Sequence, residues 1–308
     1  MTAYLGNDLL AGKFAARRIA VTRIMALCGW VCDRYTDAGM RGAALLACRA
    51  AERLGLPWHA LGEREPPAEL GWRTSLAKAT PYLRDIVTPQ INIAMARGNR
   101  PMIFANRCSV SLATIASALR HRPDAKVVWF DAHGDFNTPA NTPTGYLGGM
   151  VLSALCGLWD SGLGSGLSPD RLILAGPRDL DPAEKAELEE KGVCLILPRN
   201  GHIDAAELVR AVDGAPVWLH IDTDVVDPSY IPAEYRVPHG VAPDEMRCLL
   251  AALMRTSDLV GFELTEFEAP RDAVLLASAE DRIMKMIEPV LAFCSLYGEA
   301  DTSRGWAA

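Results

Sequence analysis

Short apolar runs alternate along this chain with longer segments in which apolar positions recur at helical spacing. Seven of the runs read as strands: Arg23–Cys28, Pro101–Ala105, Lys126–Asp131, Arg171–Gly176, Val193–Leu197, Val217–Asp222 and Leu259–Leu264. Eight segments between them read as helices: Ala43–Leu54, Leu76–Arg97, Val110–Arg120, Gly149–Leu158, Pro182–Lys191, Ala205–Val212, Pro243–Arg255 and Arg271–Tyr297. Strands that are apolar on both faces need cover on both faces. The alternation therefore predicts an α/β fold, a three-layer sandwich with a mainly parallel central sheet. Residues 55–72, rich in Gly, Pro and Glu, read as one long loop, and residues 137–149 as another. With no internal repeat and no low-complexity linker, residues 25–308 read as a single domain behind an N-terminal extension of residues 1–24.

Composition narrows the partners. The 308 residues are 50% hydrophobic and 22% charged, enough to bury one large core, and the formal net charge is −7. That balance argues against nucleic acid or anionic membrane as a partner, and is compatible with a cationic small substrate. The eight cysteines are scattered, mostly in apolar runs, and read as free buried thiols of a reducing compartment. No stretch is long and apolar enough to span a bilayer. The faintly signal-like segment Ile19–Cys32 is interrupted by Arg23. A cytoplasmic location is expected.

Two polar clusters follow apolar runs. Asp131, His133 and Asp135 alternate after Lys126–Phe130, and Asp222 and Asp224 alternate after Val217–Ile221. In an extended chain such alternation puts each set on one face. Four carboxylates and an imidazole at two strand ends then need a cation to hold them together. A donor set of mostly oxygens with one nitrogen suits Mn²⁺, and Zn²⁺, Co²⁺ or Ni²⁺ would also fit. Asp131 and Asp222 could bridge two ions about 3.5–4 Å apart. The competing reading is that these are ordinary turn and cap residues after strands.

The stretches Asp131-Ala132-His133-Gly134-Asp135, Asp222-Thr223-Asp224-Val225-Val226-Asp227-Pro228-Ser229 and Glu263-Leu264-Thr265-Glu266 resemble the ureohydrolase superfamily. These are the manganese enzymes that include arginase and agmatinase, and the likeness runs from about residue 25 to 295. The resemblance implies Asp131 and Asp222 as bridging ligands, Asp135 completing one ion, and His133 and Asp224 completing the other. It implies Glu266 as the catalytic carboxylate that holds a substrate guanidinium. Toward the arginase branch, Asn137 and Thr144 would bind the carboxylate of an amino-acid substrate, and Asp181 and Glu184 would face its α-amino group. Asp181-Pro182-Ala183-Glu184 is equally an ordinary helix start. A homo-oligomer, trimer or hexamer, is implied as well.

Three departures from the family pattern stand out. Ala105-Asn106-Arg107-Cys108-Ser109 replaces Gly-Gly-Asp-His, putting Cys108 where a metal-ligating His is expected. As a thiolate it is a softer donor, better suited to Zn²⁺ than to Mn²⁺; as a neutral thiol it would leave one ion weakly held. Gly148 stands at the position of a proton-shuttling His, and Arg236-Val237-Pro238 replaces Gly-Thr-Pro. The resemblance thus implies an amidinohydrolase cleaving the guanidino C–N bond of an arginine-type amino acid. The departures point away from plain arginine and toward N-hydroxy-L-arginine, releasing L-ornithine and hydroxyurea, with L-arginine, releasing urea, kept as the other candidate. Agmatine, a guanidino acid, or a catalytically silent subunit are the alternatives.

Overall fold

All the apolar runs become strands of one sheet in the computed structural model, which describes residues 21–32, 38–66, 68 and 70–296. The sheet comprises β1 (Thr22–Leu27), β2 (Trp58–Leu61), β3 (Arg100–Ala105), β4 (Lys126–Phe130), β5 (Leu172–Ala175), β6 (Cys194–Ile196), β7 (Val217–Asp222) and β8 (Leu259–Thr265), β2 being one further strand beyond those runs. The order is β2-β1-β3-β8-β7-β4-β5-β6, and every pairing is parallel. The helices are α1 (Ala38–Leu54), α2 (Trp72–Tyr82), α3 (Thr88–Ala96), α4 (Ser111–His121), α5 (Val151–Leu155), α6 (Pro182–Glu190), α7 (Ala205–Val212), α8 (Pro243–Thr256), α9 (Ala273–Met286) and α10 (Glu288–Leu296).

The two-residue period of a strand divides the core into two layers. Ile24, Ala26, Val128 and Phe130 pack with α1, α7, α8, α9 and α10. Met25, Leu27, Val127 and Trp129 pack on the opposite face with α2, α3, α4, α5 and α6. The sheet thus lies between two helical layers, as the pattern predicted. Every residue of the central strands β3, β7 and β8 is buried.

Three local expectations need correction. The loop foreseen over residues 55–72 contains β2, an edge strand with no fully buried residue, so its apolar pattern is weak. The single helix expected over Leu76–Arg97 starts at Trp72 and is broken by a π turn at Leu83–Val87. Pro81 precedes that turn and Pro89 follows it, and each lacks the N–H a regular helix would use. The last long helix is split at Ile287, just before Glu288 and Pro289. Most of the expected 1–24 extension, and residue 297, lie outside the described residues. Among the described residues no helix is long and apolar enough to cross a membrane. All eight cysteines are free, but only Cys28, Cys32, Cys108 and Cys294 are buried, and Cys248 is exposed.

Candidate active site

The four adjacent strands β3, β8, β7 and β4 end together, and their carboxyl ends carry Cys108, Glu266, Asp222 and Asp131. Open parallel sheets gather function at that edge. The acids do not converge by strand alternation, however. β4 stops at Phe130, and Asp135 turns the chain in the left-handed region with φ 48°. Asp222 ends β7 and accepts the Asp224 N–H at 2.8 Å, which folds residues 223–225 into a 3₁₀ turn. The turns do the gathering.

The residues expected at the site form two donor clusters. His133 Nδ1 lies 3.0 Å from Asp224 Oδ2 and 3.3 Å from Asp131 Oδ1. Cys108 Sγ lies 3.1 Å from Asp222 Oδ2, and Glu266 Oε1 accepts the Cys108 N–H at 3.1 Å. Donor atoms of Asp131, His133 and Asp224 fall within 4.8 Å of one another, as do those of Cys108, Asp222 and Glu266. Asp135 joins neither cluster but lines the same cavity of about 250 Å³. Every residue expected at the site lines that cavity except Asp131, which is only 1% exposed.

The electrostatics show the cost of gathering these acids. Burial, reinforced by the charge of neighbouring acids, pushes Asp131, Asp135 and Asp222 above the usual carboxylate range. Burial works the same way on Asp224, but His133 outweighs it and holds that carboxyl low. Burial alone would lower His133, yet Asp224 and Asp131 hold its proton on. Cys108 is pushed up by burial and then by the Asp222 charge. A divalent ion inverts each of these penalties, since it favours the deprotonated donor everywhere it touches. The donor set therefore fits a metal centre.

On the Cys108 side of the cavity, Glu266 holds φ 64°, a conformation that costs a non-glycine residue about 1–3 kcal/mol. Its Oε2 accepts from Arg107 Nη1 at 2.8 Å. Arg107 is 1% exposed and also bonds Glu268 Oε1 and Glu234 Oε2, each at 2.6 Å. Burial pushes Glu266 up to about 8 against the opposing charge of Arg107. Sequence reasoning placed Arg107 only within a departure from the family pattern and missed this role. Its partners are 127 to 161 residues away, so only the fold reveals it.

At the other end of the cavity, Asn137 Nδ2 donates to Asp181 Oδ2 at 2.9 Å. Asp181 and Glu184 form the capping box of α6, and Glu184 Oε1 also accepts the Phe136 N–H at 2.8 Å. The helix-start reading of Asp181-Pro182-Ala183-Glu184 holds, and the same pair of acids lines the cavity. Burial pushes Glu184 up to about 7. A Cβ at Gly134 would sit 2.4 Å from the Glu184 carboxyl carbon, so the glycine lets the two segments meet. A Cβ at Gly148 would lie 2.4 Å from the Tyr146 ring. Tyr146 thus fills the space where a side chain at 148 would begin, and burial keeps its phenol protonated. Arg236 is exposed and bonds Ala233 O at 3.3 Å, so its charge does not line the cavity.

Comparison with known proteins agrees with this geometry. Residues 75–286 match the model of the arginase family. The chain is 44% identical over 264 residues to the N(omega)-hydroxy-L-arginine amidinohydrolase of Streptomyces lavendulae, covering 85% of this chain and 94% of that protein. The solved arginase of Bacillus caldovelox superposes with a TM-score of 0.70 at 22% identity, covering 91% of this chain and 99% of that one. The proclavaminate amidinohydrolase of Streptomyces clavuligerus superposes at 0.68 and 16% identity, covering 92% and 94%. With its parallel sheet, clustered acids and family match, the chain belongs to the arginase family of metal-dependent amidinohydrolases.

Proposed function

We propose that this chain hydrolyses N-hydroxy-L-arginine in preference to L-arginine, giving L-ornithine and hydroxyurea. The observation that carries the preference is the buried pair of Arg107 with Glu266. A carboxylate that already compensates one guanidinium has less to offer a second, permanently charged one. N-hydroxylation lowers the basicity of the guanidino group, so this substrate need not bring a full positive charge into the site. The Streptomyces lavendulae relative, named for that substrate, supports the reading.

In bond terms, the oxygen of water joins the guanidino carbon, the C–N bond to the side chain breaks, and the departing nitrogen takes up a proton. Asp131, His133, Asp135, Asp222, Asp224 and Cys108 would hold the divalent ions, and the oxygen-rich His133 side suits Mn²⁺. Bound there, such ions supply Lewis acidity and lower the pKa of water toward neutrality. Glu266 orients the guanidino group through its remaining lone pairs, since a carboxylate accepts up to about four hydrogen bonds and two are in use. Asn137 and Thr144 receive the substrate carboxylate, and Asp181 and Glu184 its ammonium group. Tyr146 narrows the cavity beside Gly148 and excludes water there. Free thiols throughout suit a cytoplasmic location, and a trimer or hexamer is part of the same proposal.

Asp181→Ala tests the amino-acid end. It removes a carboxylate that touches Asn137 and belongs to no donor cluster, so KM for N-hydroxy-L-arginine should rise about tenfold while kcat changes less. An unchanged KM, or an equal effect on a guanidino acid that lacks the α-amino group, would remove Asp181 from substrate recognition.

A further inference from the structure

His220 lies wholly buried on β7, two residues before Asp222. Trp129 on β4 and Glu263 on β8 are its register partners on either side. The Trp129 ring stacks on the imidazole with centroids 3.3 Å apart and planes 3° from parallel. Glu263 Oε1 lies 2.8 Å from His220 Nδ1. Glu263 is itself held by Ser111 Oγ at 2.5 Å and Thr114 Oγ1 at 2.7 Å. The ring plane and, from this network, the tautomer are set: Nδ1–H donates to the carboxylate and Nε2 presents its lone pair. On the Nε2 side stand Cys108 Sγ and Thr265 Oγ1, each at 3.4 Å.

We propose that His220 is a metal ligand, and that the ion on the Cys108 side is held by Cys108 Sγ, His220 Nε2 and a carboxylate oxygen of Asp131. Donor atoms of these three residues lie within 4.8 Å of one another. A sulfur and an imidazole nitrogen bound to one tetrahedral ion, at about 2.3 and 2.0–2.1 Å, stand roughly 3.5 Å apart. The observed separation of 3.4 Å matches. A carboxylate behind the far ring nitrogen is also what orients metal-bound histidines generally. His220 would thus supply the nitrogen donor that residue 108 does not. Because the cysteine side chain is shorter than a histidine's, an ion bound to it sits nearer the sheet, which is where Nε2 lies. The resulting sulfur, nitrogen and oxygen set is softer than the His133 cluster and favours Zn²⁺ or Co²⁺ over Mn²⁺. The competing arrangement is a neutral Cys108 thiol donating to Nε2, with His220 serving only as a satisfied core residue.

The proposal needs the metal dependence of the family but not the substrate preference argued above, and its test involves no turnover. His133→Ala removes the imidazole of the other cluster. Cobalt(II) bound to that variant should show, by X-ray absorption at the cobalt edge, one sulfur neighbour and imidazole outer-shell scattering. His220→Gln should lose the imidazole signal in the same background and bind cobalt at least about tenfold more weakly. Glu263→Gln, which keeps the ring but loosens its orientation, should weaken cobalt binding in the same direction. Sulfur without imidazole in His133→Ala would overturn the proposal, as would unchanged cobalt affinity in a folded His220→Gln. Should either variant fail to fold, wild-type protein loaded with two cobalt ions decides. Two imidazoles per pair of ions support the proposal, and one contradicts it.

Discussion

Asp131→Ala and Asp222→Ala are each expected to abolish bound divalent metal and amidinohydrolase activity together. Asp131 has the stronger claim. It belongs both to the donor cluster with His133 and Asp224 and to the one with Cys108 and His220, so its loss opens both ion positions. Its Oδ2 is fixed by the Trp129 indole N–H at 2.9 Å, and its Oδ1 by the His133 N–H at 2.7 Å, which aims the carboxylate before any ion arrives. Asp222 bonds Cys108 Sγ through Oδ2 and the Asp224 N–H through Oδ1, so its loss also frees the 3₁₀ turn that places Asp224. Loss of groups that merely orient ligands costs about 10–100-fold in metal affinity, and loss of a shared ligand should cost more. Elemental analysis and product release, measured on the same folded samples, check this. Metal-free Asp131→Ala should melt close to metal-free wild type, because deleting one of several crowded buried acids relieves repulsion and offsets the loss of the hydrogen bonds from the Trp129 indole and the His133 N–H.

Glu266→Gln should leave the fold and the metal content in place while lowering kcat/KM by about 10²–10³-fold. The neutral amide can still accept from Arg107 or from the Cys108 N–H, so the left-handed turn at 266 is kept. What goes is the charge proposed to hold the guanidino group, and charge-assisted hydrogen bonds are roughly twice as strong as neutral ones. The loss should be larger for L-arginine than for the less basic N-hydroxy-L-arginine. Loss of an ion instead of turnover would reassign Glu266 as a ligand, since its carboxylate also lies within reach of Cys108 and Asp222.

How far the molecule was legible in its sequence varied with the physics involved. The central strands were legible because burial on both faces leaves no polar position in runs such as Met102–Ala105. β2 was not, because an edge strand is half solvated and carries little pattern. The residue types of the metal site were legible, since several acids and a histidine at two strand ends repel one another unless a cation joins them. Their geometry was misread: alternation placed the acids on one strand face, whereas turns at Asp135 and at Asp222–Val225 bring them together. Arg107 and His220 escaped notice for a different reason. Each owes its role to side chains from distant strands and loops, Glu234, Glu266 and Glu268 in one case and Trp129 and Glu263 in the other. A substitution that fills space, such as Tyr146 beside Gly148, is likewise visible only once distances are known.

The most direct test of the central claim is product release by the purified protein, assayed on N-hydroxy-L-arginine and L-arginine before and after complete removal of divalent ions. The account predicts hydroxyurea and L-ornithine from the first substrate, with kcat/KM at least about tenfold above that for L-arginine, a margin of about 1.4 kcal/mol. It predicts that chelation abolishes both reactions and that adding back a divalent ion restores them. Full turnover by metal-free protein, or no turnover of either compound by metal-loaded protein, would contradict it.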